Sequence, residues 1–360
     1  MKTWILLFCL LLASCGGRQA QFSDHEDFYW IDFRPLVKNE ALEVGLNEWG
    51  TNPRYVQLET NEFIQIKFIQ RVILDGDKFL VVHSDRLSLF DKDGKYQYDI
   101  GEKGEEEGEY FRMGGVVLRN DTLFVVDGNY DFTLYNWQGE YLGKWFQPKI
   151  RHTMNFFLVP NTDLFLGHVN NFTGQKKVRF VFFRDTTAIK TIPVTEKLEP
   201  ASPMVVYSIP TEMKAFDVPA FKEVFNDTIY QVDESLNLVP YAVVELGKYK
   251  ATKEAMFACT AEQLMKKWDF FNGKIALAAT GEKDGIIYLA HHDVTDPYTY
   301  SYDKNTQQTF YQKVIYPDNS YGFKEGSTFV PHFISTDGKY LIDYEIPENG
   351  NNPVIVLVER

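Results

Sequence analysis

From residue 60 onward, apolar and polar positions repeat one arrangement. An Asp opens an apolar run of four or five residues, a polar turn follows, and a second run alternates up to a Gly-containing hairpin. "DKFLVVHSDRLSLFDKDGKY", from Asp77, and "DTLFVVDGNYDFTLYNWQGEY", from Asp121, show it in full, with hairpin glycines at Gly94 and Gly139. Alternation with period two belongs to strands. The openings lie 44 residues apart and the glycines 45, the length of a four-stranded propeller blade. The opening recurs at Asp163, Asp227, Asp284 and Asp337. Six openings predict an all-β fold, a six-bladed β-propeller of four-stranded antiparallel blades.

The later spacings are longer and require insertions. Residues 193–220, with Pro193, Pro200, Pro203, Pro210 and Pro219, read as a long loop. Residues 251–272 read as a short helical insertion: Phe257, Ala261, Leu264, Trp268 and Phe271 share a face at helical spacing, Thr260 and Gln263 form a capping box, and Asn272-Gly273 is a stop. Its apolar face is expected to pack on the propeller. "EFIQIKFIQRVIL" and "VRFVFF" read as strands, and the final "NPVIVLVER" is a strand expected to close the ring against residues 55–70.

The N-terminus departs from this pattern. In "MKTWILLFCLLLASCGG", Lys2 precedes an apolar run from Trp4 to Leu12, too short for a bilayer about 30 Å thick and matching a signal-peptide core. Leu12-Ala13-Ser14-Cys15 resembles a bacterial lipoprotein signal, with acylation at Cys15 and cleavage just before it. Residues 1–14 are then the signal peptide, 15–30 a polar tether and 31–360 the propeller. The expected address is the cell envelope, lipid-anchored at the outer membrane. With Cys15 occupied, Cys259 has no disulfide partner and reads as a small buried residue.

Composition narrows the function classes. A chain 44% hydrophobic and 16% aromatic is not disordered. Net charge is −13, and losing Lys2 leaves −14, with acids and bases interspersed. This excludes nucleic acid as a partner, since phosphate binding needs clustered cations.

"YVQLETNEFIQIKFIQRVIL" through "SDRLSLFDKDGKYQYDIGEKGEEEGEYF", together with "NDTIYQVDESLNLVPYAVVELGKY" and "NPVIVLVER", resembles the six-bladed β-propeller lipoproteins of Bacteroidetes, a family largely of unknown function. The family's glycine-rich inter-blade loop, G-x-x-G-x-G-P-G-E-Y, is matched by Gly101, Gly104, Gly108, Glu109 and Tyr110. Glu106 and Glu107 replace its Gly and Pro. The resemblance makes the acidic run a connecting loop; the competing reading is a calcium site. Asp24, Glu26 and Asp27 are similar to acidic sorting signals of surface lipoproteins in the same group.

Candidate chemistry is sparse. "FDKDGK" opens like a calcium loop from Asp91, but the middle, with Tyr96 and Tyr98, lacks calcium-loop spacing, and a hairpin explains Asp-Gly better. His291, His292 and Asp293 form the dense imidazole–carboxylate cluster, a weak metal or acid–base candidate, since neighbours on a strand face opposite ways. His168 and His332 could join it only through the fold. No G-x-S-x-G elbow, H-E-x-x-H pair, Walker loop or dinucleotide fingerprint is present. Thr122, Thr186 and Thr228, each after an Asp, resemble O-glycosylation acceptors of exported Bacteroidetes proteins; the alternative is turn chemistry.

The reading is an envelope binding module without a cofactor, taking a glycan, peptide or protein on its loop-bearing face or in its central channel. The rival is a hydrolase or lyase at the channel mouth. A structural subunit of an envelope assembly is the third reading.

Overall fold

The computed structural model describes residues 28–127, 131–145, 153–159, 162–169, 176–185, 187–194, 211–214, 220–223, 225–252, 254–255, 273–291, 298–317 and 321–360. They form six four-stranded antiparallel blades in a ring. Blade 1 is Arg71–Asp75, Lys78–His83, Arg86–Asp91 and Tyr96–Asp99. Blade 2 spans Met113–Arg119 to Tyr141–Trp145, and blade 3 spans Thr153–Leu158 to Thr187–Pro193. Blade 4 spans Thr211–Lys214 to Leu238–Glu245, and blade 5 spans Leu277–Lys283 to Gln308–Ile315. Blade 6 takes Phe333–Ile334, Tyr340–Glu345 and Val354–Glu359 from the C-terminus and Thr51–Gln57 from the N-terminus. The first strand of each blade is innermost, and these first strands surround the axis.

Packing explains why the strands are apolar at consecutive positions. Each blade is covered on both faces, so both sets of alternating side chains are buried. In blade 1, Phe79 and Val81 pack with Ile342, Ile355 and Leu357 of blade 6. Leu80 and Val82 point the other way, onto Val116, Leu123 and Val125 of blade 2. The same device supplies a core between every neighbouring pair of blades, richest in aromatics between blades 2 and 3, where Phe124, Phe132, Phe156, Phe165 and Phe183 interlock. Each fully buried aliphatic or aromatic side chain contributes about 1.5–3 kcal/mol.

Asp77, Asp121, Asp163, Asp284 and Asp337 precede the second strand of their blades. Asp227 does not: it precedes Thr228–Val232, the third strand of blade 4. The second strand there is Ala220–Glu223. The proline-rich segment holds this blade's first strand, Thr211–Lys214, which Pro210 and Pro219 flank rather than interrupt. Most of the helix expected over 251–272 and Cys259 lie outside the described residues, as do Cys15, His292, Asp293 and Thr186.

The N-terminal chain lines the outside of three blades. Tyr29–Asp32 runs parallel to the outer strand of blade 4, so Tyr29 and Trp30, expected to end the tether, belong to this strand. Leu42–Gly45 runs parallel to Gln308–Ile315 of blade 5, and Thr51–Gln57 then becomes the outer strand of blade 6. Ring closure by the terminal strand is as expected, with Val354 opposite Gln57 and Ile355 opposite Val56. The partner is 51–57 rather than 55–70. Residues 58–70 alternate in burial, with Ile64, Ile66 and Ile69 inside and Phe63 and Phe68 exposed, yet they join no ladder. Side chains satisfy their backbone instead: Asn61 Oδ1 accepts from the N–H of Phe63 and Ile64, and Asn352 binds Ile64 and Ile66.

Candidate functional site

The ring encloses a cavity of about 390 Å³ on its axis. Arg71, Val72 and Ile73 of blade 1, Val117 to Asn120 of blade 2, Phe156 to Leu158 of blade 3 and Phe333 to Thr336 of blade 6 wall it, with Thr280 of blade 5. Its size lies within the usual range for small-ligand pockets. The wall is mostly apolar because it is made by strands that also feed the inter-blade cores. Its charge is one-sided: among the described residues it holds two arginines and no carboxylate or imidazole.

Arg71 stands at the edge of blade 1, and its Nη1 donates to the Val116 carbonyl of blade 2 at 3.1 Å. The bond bridges two innermost strands and holds the guanidinium at the cavity wall. Arg119 lies over the ring of Phe165, 5.5 Å from its centroid, and its charge reaches Asp163, which pairs with Arg184. At the turns before the second strands, Thr336 Oγ1 donates to Asp75 at 2.7 Å and Ser335 Oγ to Asp337 at 2.6 Å.

A second feature is a belt of titratable groups where second strands end: His83, Asp127, Glu223, His291 and Glu345, with His168 one residue short of the end in blade 3. Buried charges need partners, and these have them. His83 Nε2 meets Ser88 Oγ at 2.8 Å, and Ser88 donates to Asp99. Burial, and then the charge of Arg86, holds the His83 imidazole down to about 4, so it is neutral. Asp127 pairs with Lys144 at 2.9 Å. Glu223 takes the fork of Arg179 and lies 3.8 Å from His168 Nε2. Chemistry that looked local in the sequence, such as His291 ending "IIYLAH", is one instance of a position repeated around the ring.

Blade 6 carries the most ordered cluster. Asp343, 3% exposed, accepts from Tyr316 OH at 3.0 Å, the Val330 N–H at 2.7 Å, the Tyr344 N–H at 2.7 Å and His332 Nδ1 at 2.8 Å. His332 is 30% exposed, and its hydrogen bond uses Nδ1, which leaves Nε2 without a partner among the described residues. Burial, and then the Asp343 charge, pushes Glu345 up to about 7.

The other sequence candidates are placed as follows. "GEKGEEEGEY" is the connection from blade 1 to blade 2, with Glu102, Glu105, Glu106 and Glu107 exposed. Gly101 has φ +67, and a Cβ there would come within 2.5 Å of the Tyr135 ring; at Gly104 it would strike the Glu109 carboxylate. Tyr110 is buried and donates to the Asp85 carbonyl at 3.0 Å. "FDKDGK" is the hairpin between the third and fourth strands of blade 1, with Asp91 Oδ1 accepting from the N–H of Asp93 and Lys95. Thr122 and Thr228 are half-buried first residues of strands. Among the described residues no group of three His, Cys, Asp or Glu is placed to hold a metal, and no helix is long and apolar enough to cross a membrane.

Two solved structures share the ring. One is a Bacteroides fragilis protein described as exported, 17% identical, covering 92% of this chain and 100% of its own, with a TM-score of 0.64. The other is a Bacteroides thetaiotaomicron protein of unknown function, 11% identical, covering 89% and 75%, with a TM-score of 0.50. At these identities the likeness is one of fold. No curated protein matches. A family model described as "Domain of unknown function (DUF4934)" matches residues 28–355, and the chain belongs to that family.

Proposed function

We propose that this chain is an exported, lipid-anchored envelope protein that works as a binding module, with the axial cavity as its site for a glycan, a peptide or a segment of a protein partner. The observation that carries the reading is the wall itself, which among the described residues presents apolar side chains, a few hydroxyls and two arginines around a volume of small-ligand size. Export rests on residues 1–14 read as a signal and Cys15 as the anchor, alongside the description of the Bacteroides fragilis relative. Thr122 and Thr228 stay as proposed glycan acceptors, since their places at the starts of strands leave them half-buried.

Ile334→Trp tests the site. Ile334 is half-buried on the wall, and the larger ring would fill part of the cavity. On a glycan and peptide array the unaltered chain is expected to retain a subset of ligands, and the variant to lose them while melting within a few degrees of it. Unchanged retention by the variant would move the site off the axis.

The rival reading, a hydrolase or lyase, draws on one observation: a buried carboxylate orients His332 through Nδ1, as in a general base held in one tautomer. No hydroxyl or thiol among the described residues bonds Nε2, so such a base would act on water or directly on substrate. Turnover of any aryl glycoside or ester that is lost in His332→Gln would replace the binding reading with this one.

A further inference from the structure

We propose that the axial cavity selects a carboxylate-bearing ligand, a compact organic monoanion of one- to two-ring size whose carboxylate pairs with Arg71. This rests on the reading of the cavity as the binding site. The chain as a whole is strongly acidic, at −13, yet the cavity wall among the described residues has guanidinium groups and no carboxylate. Arg71 has five N–H donors, one of which goes to the Val116 carbonyl, and it makes no ion pair among the described residues. Half-buried beside apolar walls, a guanidinium without a counter-charge favours an incoming anion, and its fork matches a carboxylate in two-point fashion.

The surroundings decide between a monoanion and a dianion. The hydroxyls of Ser335 and Thr336 are turned to Asp337 and Asp75 at the turn end of the first strands, away from Arg71. Arg119 lies over the Phe165 ring, and its charge acts on Asp163. One free fork suits a single negative charge; a phosphate dianion would meet too few donors. The rest of the wall, Val72, Val117, Phe156, Phe157 and Phe333, suits an apolar or ring-faced body attached to that carboxylate.

Isothermal titration of the purified full chain with benzoylglycine and with its neutral amide is the test. The acid is expected to bind at least about tenfold more tightly than the amide, and Arg71→Met to remove that difference by weakening the acid alone about ten- to a hundredfold. Leu118→Glu, on a half-buried wall position, is the second variant, expected to abolish acid binding and spare the amide. Equal affinity for acid and amide, both lost in Ile334→Trp, would overturn the charge selection and leave the cavity site standing. Binding of the acid that Ile334→Trp leaves intact would overturn the site and this proposal with it. Absence of acid binding at millimolar concentration overturns the carboxylate assignment.

Discussion

Asn352→Asp is expected to lower the unfolding free energy by about 3–5 kcal/mol, the largest single effect on stability anticipated in this fold. Asn352 is 2% exposed and its amide reaches three backbone groups of the segment that leads from Thr51–Gln57, the outer strand of blade 6, into blade 1. Its Nδ2 donates to the Glu59 carbonyl at 2.6 Å and the Ile64 carbonyl at 3.1 Å, and its Oδ1 accepts from the Ile66 N–H at 2.7 Å. Its own N–H donates to Thr60 Oγ1 at 2.7 Å. A carboxylate of the same shape keeps the acceptor and loses both donors, so two buried carbonyls face negative oxygen. Against a total of about 5–15 kcal/mol, such a loss leaves little margin at the seam of the ring. Urea unfolding followed by tryptophan fluorescence measures it. Asn352→Ala, which removes all three contacts without adding charge, is expected to be less damaging than Asn352→Asp above about pH 5. The order should reverse in acid, where a protonated Asp regains one donor. A midpoint for Asn352→Asp equivalent to less than about 1 kcal/mol of destabilisation would refute the clamp.

That clamp was invisible in the sequence, and the reason is instructive. "EFIQIKFIQ" alternates like a strand because Ile64 and Ile66 do point inward, and burial, which sets alternation, is satisfied. Alternation says nothing about which partner takes the backbone groups, and here that partner is a side chain about 290 residues away in sequence. Blade number was legible because covering both faces forces a long apolar run into each second strand. It was legible even where the phase slipped. Asn226 Oδ1 accepts from the Thr228 N–H, as Asp337 Oδ1 accepts from the Lys339 N–H at the opening of blade 6, so the segment carries the turn chemistry of an opening. The true second strand of blade 4, "AFKE", has only Ala220 and Phe221 as apolar positions before Lys222 and Glu223, shorter than the four- or five-residue apolar run of the other openings. The site was the least legible part. Arg71 in "IQRVIL" looks like a charged strand edge, and only the ring sets the Val116 carbonyl and the walls of blades 3 and 6 beside it. His332 and Asp343 were separable from background only once Tyr316 and Val330 were seen to share the same carboxylate.

Asp343→Asn is expected to cost about 3–4 kcal/mol at neutral pH and to change how stability depends on pH. The carboxylate takes four donors, so an amide must turn its NH2 toward at least one of them, with Tyr316 OH and the Val330 N–H on one oxygen and His332 and the Tyr344 N–H on the other. The pH arm follows from Glu345. Its folded pKa, near 7, stands above its ordinary value of 4.5, through burial first and the Asp343 charge second. A group raised on folding adds stability that is full below the unfolded value and is lost as pH rises through the folded one. In the unaltered chain that contribution fades between about pH 4.5 and 7. Neutralising residue 343 removes the second cause, so Glu345 ionises at lower pH and the fading moves down toward 4.5. Chemical denaturation at half-unit steps from pH 4.5 to 8 reads both effects. The expected record is a loss at pH 8 together with a flatter slope between pH 6 and 7 than in the unaltered chain. A parallel displacement of the whole curve, with its slope unchanged, would mean that Asp343 does not act on Glu345, and the carboxylate would then serve only to hold His332 and the loop around Val330.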